Sequence, residues 1–305
     1  MRKRLRILLA FALVLVLGVF AWVMLRTGER EPLYQGRPLS YWLQGYVPTR
    51  TFPPATNAIP GPTRAEAKAA VEYLGTNAIP TLLRLLSTRD FPLATRLYQI
   101  AQRQRFIHIP YTDPWERAQE AEWGFWELGP KLTVAAPQLI ELFDLHPTIM
   151  SHQIIPDILG RIDPPVKAAV PMLVKATTDS DSFVRNNSVF ALGRIHIEPA
   201  LAVPALIKCL DDPTDYIRAH AARALAAFGQ DARPAVPALV KLLAREGTNG
   251  IPANAVLRAP PGDFDTIYGP NPGANWAGGA IDVVGPTTQA LKIIDPEAAV
   301  QAGIK

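Results

Sequence analysis

The chain has a single cysteine, Cys209, among 305 residues. That excludes an internal disulfide and any thiolate cluster for a metal. The common catalytic signatures are missing too: there is no G-x-S-x-G, no Walker phosphate loop and no G-x-G-x-x-G. The five histidines, His108, His146, His152, His196 and His220, precede no glutamate, and none has metal-ligand spacing to Cys209. Excess charge is scarce. The net charge is +4, and Arg2, Lys3, Arg4 and Arg6 account for it, so the remainder is near neutral and no nucleic-acid partner is expected. Apolar residues make up 49%, enough for a core and too many for a disordered chain. The 30 prolines imply many short elements with repeated starts and stops.

The amino terminus reads as a membrane signal. MRKRLR precedes an uncharged run from Ile7 to Leu25. As a helix this run spans roughly 28 Å, about one hydrocarbon core. Trp22 lies near its outer end, where an aromatic anchor is expected. Positive charge before the span keeps the amino terminus in the cytoplasm and sends the rest across, so residues 7–25 are expected to be a single-pass signal-anchor. The alternative is a secreted chain cleaved after Val19-Phe20-Ala21.

Beyond the run, one phrase recurs. AVPMLVKAT, AVPALIKCL and AVPALVKLL place Pro171, Pro204 and Pro237 at steps of 33 residues. Pro137, in AAPQLIELF, precedes Pro171 by 34, and Pro80, in AIPTLLRLL, precedes Pro137 by 57, one unit plus an insertion. Such a period means stacked supersecondary units. Each proline is expected at the first position of a helix, where its missing N–H costs nothing; these are termed B helices. Leu206, Ile207 and Leu210 then share one face. Before each B helix lies an A helix that ends at a glycine. Ile217, Ala221, Leu225 and Phe228 form one stripe, and Gly229 is the expected left-handed terminator. Gly193, Gly160, Gly129 and Gly75 occupy the equivalent places. Expected caps are Asp113, Asp181 or Ser182, and Asp215. The fold class is therefore all-α: an α-solenoid of stacked antiparallel helix pairs, preceded by one transmembrane helix.

The stretch from Val184 to Leu243, with Val184-Arg185 and Ile217-Arg218 opening A helices and Asp211 or Asp212 before the next one, resembles HEAT-like repeats of the phycobilisome-lyase type. The resemblance is closest over 180–245 and extends back to residue 63. The segment EPLYQGRPLSYWLQGY and the carboxy-terminal unit also resemble parts of membrane-anchored bacterial HEAT-repeat proteins. The resemblance implies a bacterial inner-membrane protein with its repeats outside the cytoplasm. Two enzymes built on such repeats are not matched. The His-Glu motifs of deoxyhypusine hydroxylase are missing, and the basic face of a DNA glycosylase is not evident.

The expected organisation is residues 1–30 as tail and anchor, 31–62 as an amphipathic capping helix and linker, and 63–305 as the solenoid. In the capping helix Leu39, Trp42, Leu43 and Tyr46 form the apolar stripe. Insertions fall at 89–112, where Leu93, Leu97 and Ile100 suggest an extra helix, and at 248–286, rich in glycine and proline. A short closing helix begins at Pro296.

Four residues after the repeat prolines stand Arg84, Glu141, Lys175, Lys208 and Lys241. Adjacent helices pack about 8–10 Å apart. The last three would therefore form a lysine ladder up the B-helix face. Arg84, Lys175, Lys208 and Lys241 are the candidate binding surface, with an acidic protein partner the expected ligand and solubility of a polar face the plain alternative. No catalytic residue, metal or cofactor is expected. The expected function is a non-enzymatic, membrane-tethered interaction scaffold. The alternative is an enzyme, lyase-like or hydrolytic, with its site formed by the 248–286 loop and adjacent repeats, to be marked by a carboxylate of perturbed acidity.

Overall fold

The computed structural model describes residues 31–47, 61–88, 114–145, 148–247 and 282–304. The anchor at 7–25, the Asp113 cap, the helix expected in 89–112 and residues 248–281 of the second insertion lie outside the described residues. Among the described residues no helix is long and apolar enough to cross a membrane. The chain divides into one unit ending at Thr81 and a second beginning at Leu82.

The first unit departs from the all-α expectation at one point. Strands β1 (Leu33–Tyr34) and β2 (Arg37–Pro38) form a two-residue hairpin. Its loop, Gln35-Gly36, has both φ values positive, at 48° and 75°. That is the geometry a two-residue turn needs to match strand twist. Pro38 then leads into α1 (Leu39–Leu43). The expected stripe is buried: Leu39 and Leu43 are inaccessible, and Trp42 and Tyr46 nearly so. Each such side chain contributes about 1.5–3 kcal/mol. The Trp42 indole N–H donates to the Tyr34 carbonyl at 3.0 Å, so hairpin and helix brace each other. Helix α2 (Arg64–Leu74) packs against α1 and opens with a capping box between Thr63 and Glu66. Helix α3 (Ile79–Ser87) begins in this unit and continues into the next.

The second unit is a run of helix pairs. The A helices are α4 (Pro114–Glu127), α6 (Ile149–Gly160), α8 (Ser182–Ile195), α10 (Asp215–Ala227) and α12 (Val284–Ile294). The B helices are α5 (Ala136–Leu145), α7 (Val170–Ala176), α9 (Pro199–Cys209) and α11 (Val236–Gly247), with α13 (Pro296–Gln301) closing the chain. Each A helix packs on the A helix before it, and each B helix packs on the A helix that follows. This helical stack is consistent with an α-solenoid. The α10 stripe is buried as the spacing predicts, with Ile217, Ala221 and Leu225 inaccessible.

Three expectations are corrected. The repeat prolines do not start their helices. Pro80, Pro137, Pro171 and Pro237 are second residues, after a turn of 3-10 helix. The first four amides of a helix lack intrahelical partners, so proline is as harmless at the second position as at the first. Pro204 lies inside α9, which starts a turn earlier at Pro199 after the left-handed Glu198. Next, of the five glycines expected to end A helices, only Gly75, Gly129 and Gly229 have a positive φ, +54°, +53° and +55°. Gly193 is within α8, and Gly160 ends α6 for a different reason: a Cβ there would lie 2.7 Å from the Cα of Ala191. Gly160 thus permits α6 and α8 to approach. Finally, Asp181 does cap α8, accepting from the Phe183 amide at 2.7 Å, but Asp215 is the first residue of α10 and not its cap.

Candidate functional site

Lys175, Lys208 and Lys241 are all exposed, on α7, α9 and α11. Arg84 lies half-buried on α3, and the acidic Glu141 is exposed on α5. Two of the lysines have acidic neighbours from the preceding unit. Lys175 Nζ is 3.7 Å from Asp144 Oδ1 near the end of α5. Lys241 Nζ is 3.4 Å from Asp211 Oδ2, just past the end of α9. Arg245 adds a second contact to Asp211 at 3.0 Å and donates to the Leu210 carbonyl at 3.1 Å. The lysine side chains are 77% and 70% exposed. Such pairs are screened and contribute about 0–1 kcal/mol each. The position that would face Lys208 holds Thr177 and Thr178, and among the described residues Lys208 has no ion pair. The ladder therefore has one uncompensated rung flanked by two compensated ones.

A second, more buried ladder escaped the sequence reading. The fourth residue of α8 is Arg185. Its Nε and Nη2 donate to the Asp212 carboxylate at 2.8 and 3.2 Å, and its Nη1 donates to the Asp179 and Ser180 carbonyls at 3.0 and 3.1 Å. One repeat on, Arg218 donates to the Asp212 carbonyl at 2.8 Å and pairs with Asp215 at 2.8 Å and Glu246 at 3.0 Å. One repeat back, His152 Nε2 meets Asp179 at 3.0 Å. His152 and Arg185 each tie the start of an A helix to the turn that ends its own repeat, and Arg218 ties the start of α10 to the turn before it and to Glu246 near the end of α11. Asp179 and Asp212 each also accept an amide two residues on, at 2.8 Å, so both loops have the same turn. Burial alone would raise the Asp212 carboxyl, but Arg185 and the Thr214 amide hold it below the usual range. The Val-Arg and Ile-Arg starts in the sequence were the signal for this ladder.

Polar bonds also run between A helices. Asn187 donates to the Gln153 carbonyl at 2.9 Å, and Arg194 to the Gly160 carbonyl at 3.2 Å. The buried His220 ring lies 2.6 Å from the Asn186 side-chain oxygen. Burial, helped by nearby Arg223, lowers His220 to about 3, so its ring is neutral and donates from Nδ1.

Two carboxylates on α4 are raised above the ordinary range. Burial, with Glu116 nearby, raises Glu120 to about 7. Burial and the Asp157 carboxylate push Glu122 well above the ordinary range, with Arg161 opposing them. Arg161 pairs with Asp157 at 2.8 Å and lies 4.1 Å over the Trp126 ring. Arg161 thus balances the Asp157 charge, while burial favours the protonated forms of Glu120 and Glu122. Cys209 is buried, and burial raises its thiol to about 11, so it is a poor nucleophile. Among the described residues no group of three or more histidine, cysteine or acidic side chains is placed to hold a metal ion.

No curated protein matches the chain. The stretches 136–226 and 170–257 match the family model described as HEAT repeats. They take in α5 to α11, the same helices that carry both ladders, and this span is similar to HEAT repeats.

Proposed function

We propose that the protein is a non-enzymatic, membrane-tethered scaffold whose B-helix face holds an acidic segment of a partner protein. Residues 7–25 serve as the anchor, the amino terminus is cytoplasmic, and the repeats lie on the far side of a bacterial inner membrane. The observation that carries the reading is the placement of Lys175, Lys208 and Lys241 on successive B helices of HEAT repeats, all exposed. Lys208 is its centre. It offers three N–H donors that no ion pair among the described residues engages, while Lys175 and Lys241 lie within reach of Asp144 and Asp211. An incoming carboxylate meets a preset cationic rung and can compete for the exposed pairs on either side.

The test has two arms. A reporter enzyme fused after Lys305 should be active only outside the cytoplasm; cytoplasmic activity refutes the tethering. Replacing Lys175, Lys208 and Lys241 together with glutamine should lower the yield of partners cross-linked to the anchored protein several-fold. An unchanged cross-linked set refutes the lysine surface.

A further inference from the structure

The two ends of the first unit differ in chemistry. Gly45, just past α1, lies against the Thr63 carbonyl that precedes α2. At the other end the hairpin meets the last turn of α2, where the Tyr34 and Tyr73 ring centroids are 5.2 Å apart. Tyr34 also meets Trp42 edge-on at 5.4 Å, and Trp42 meets Tyr41 at 5.1 Å. Four aromatic rings are thus contiguous over the hairpin, α1 and α2. The Arg37 guanidinium lies 4.4 Å over the last of them, Tyr41.

Of the four rings only Trp42 is buried; Tyr34 and Tyr41 are half-buried. Tyr73 is 73% exposed, Leu33 beside Tyr34 is 59% exposed, and Arg37 is exposed. A tyrosine ring is apolar along its body and polar at its hydroxyl, which suits the boundary between lipid and water. Stacking on Tyr41 occupies the face of the Arg37 guanidinium. Its N–H edge, engaged in no ion pair among the described residues, is left to donate to a phosphate. The acids nearby have partners. Glu31 accepts from the Ser40 amide at 3.1 Å, and Glu72 lies 3.7 Å from Lys68.

The chain enters the unit at this same end, because Glu31 and Pro32 lead directly into β1. Leu25, the last residue of the uncharged run, stands six residues before Glu31. Fully extended, that connection reaches at most about 22 Å, less than the thickness of one hydrocarbon core. With residues 7–25 in a membrane, the reading on which this step rests, the aromatic end is held at that membrane's surface.

We infer that this end of the first unit docks on the phospholipid headgroup layer beside the anchor, with Tyr34, Tyr41 and Tyr73 at the interface and Arg37 on a lipid phosphate. The short connection then brings the unit to the surface, and the aromatic end decides which side of it faces the lipid.

The test uses the full chain in phosphatidylcholine nanodiscs that contain some lipid with a photoreactive diazirine on its headgroup. After illumination, lipid adducts are mapped by mass spectrometry. They should concentrate at residues 33–41 and at Tyr73, and be several-fold rarer at Thr63 and Glu66, about 10–15 Å away along α2. Tyr73→Ser and Arg37→Gln together, both at exposed positions, should lower the hairpin adducts several-fold. Circular dichroism melts confirm that the variant is folded. Adducts spread evenly over the unit, or a parental yield in the double variant, overturn the inference while the tether stands. So do cross-links from Tyr73 to a second copy of the chain in place of lipid. A chain that elutes apart from the discs overturns the tether, and this inference with it.

Discussion

Arg185 and Asp212 stand 27 residues apart in the chain and meet through two parallel hydrogen bonds of 2.8 and 3.2 Å. Their side chains are only 14% and 7% exposed. The fork geometry of a guanidinium matches a carboxylate in a way that an ammonium does not. With the Arg185 bonds to the Asp179 and Ser180 carbonyls, one side chain joins two consecutive inter-repeat turns. This is where the repeats are locked in register.

Removing one member should therefore be costly. Arg185→Gln leaves Asp212 buried without its cation, and about 3–5 kcal/mol of stability should be lost. Urea denaturation followed by circular dichroism measures it. Arg185→Lys should recover only part, because one ammonium cannot replace the fork and the two carbonyl contacts. Full recovery by lysine would show that charge alone matters.

His220 should make the fold sensitive to acid. Its folded value is depressed to about 3, whereas an exposed histidine titrates near 6.5. Between those values the unfolded chain binds the extra proton. Stability from this group is thus complete above about 6.5 and falls as the pH drops toward 3. At pH 5 the loss should be about 2 kcal/mol. His220→Gln should flatten that part of the stability profile; an unchanged slope between pH 7 and pH 5 would refute the assignment.

Glu120 acts in the opposite direction. It is 4% exposed, and burial raises its carboxyl to about 7. The folded state therefore holds a proton that the unfolded state releases near 4.3. The group's contribution is complete below about 4.3 and declines as the pH rises through 7. Glu120→Gln should leave stability at pH 4 nearly unchanged and raise it at pH 8 by about 3 kcal/mol. Thermal melts at the two pH values test the sign as well as the size.

Gly160 is a packing glycine. A Cβ would sit 2.7 Å from both the Cα and the Cβ of Ala191. Gly160→Ala should cost about 1–3 kcal/mol as α6 and α8 are forced apart. A melting temperature equal to the parent's would show that the two helices can separate at no cost.

The exposed lysine pairs should behave differently. Lys241→Gln removes the 3.4 Å contact to Asp211, but Arg245 still reaches that carboxylate at 3.0 Å. Stability should change by less than about 0.5 kcal/mol. A larger loss in urea denaturation would make the ladder a structural device.

The parts of this protein legible in its sequence are those governed by neighbours along the chain. The 33-residue step, the buried stripe of Ile217, Ala221 and Leu225, and the left-handed Gly129 and Gly229 all depend on local conformation and periodicity. So did the presence of an exposed lysine on three successive B helices. Even where the exact proline position was misplaced by one residue, the element it marks was found, because every amide in the first turn lacks a partner. Tertiary structure alone decided the rest. Gly160 and Gly193 look alike in sequence, and only the approach of Ala191 assigns the first its role. Whether Lys175 and Lys241 meet an acid, and Lys208 does not, depends on which residue ends the helix of the preceding unit. Arg185 finds Asp212, and Glu120 and Glu122 are pushed above the ordinary carboxylate range, because stacking brings distant turns together and removes water from between them.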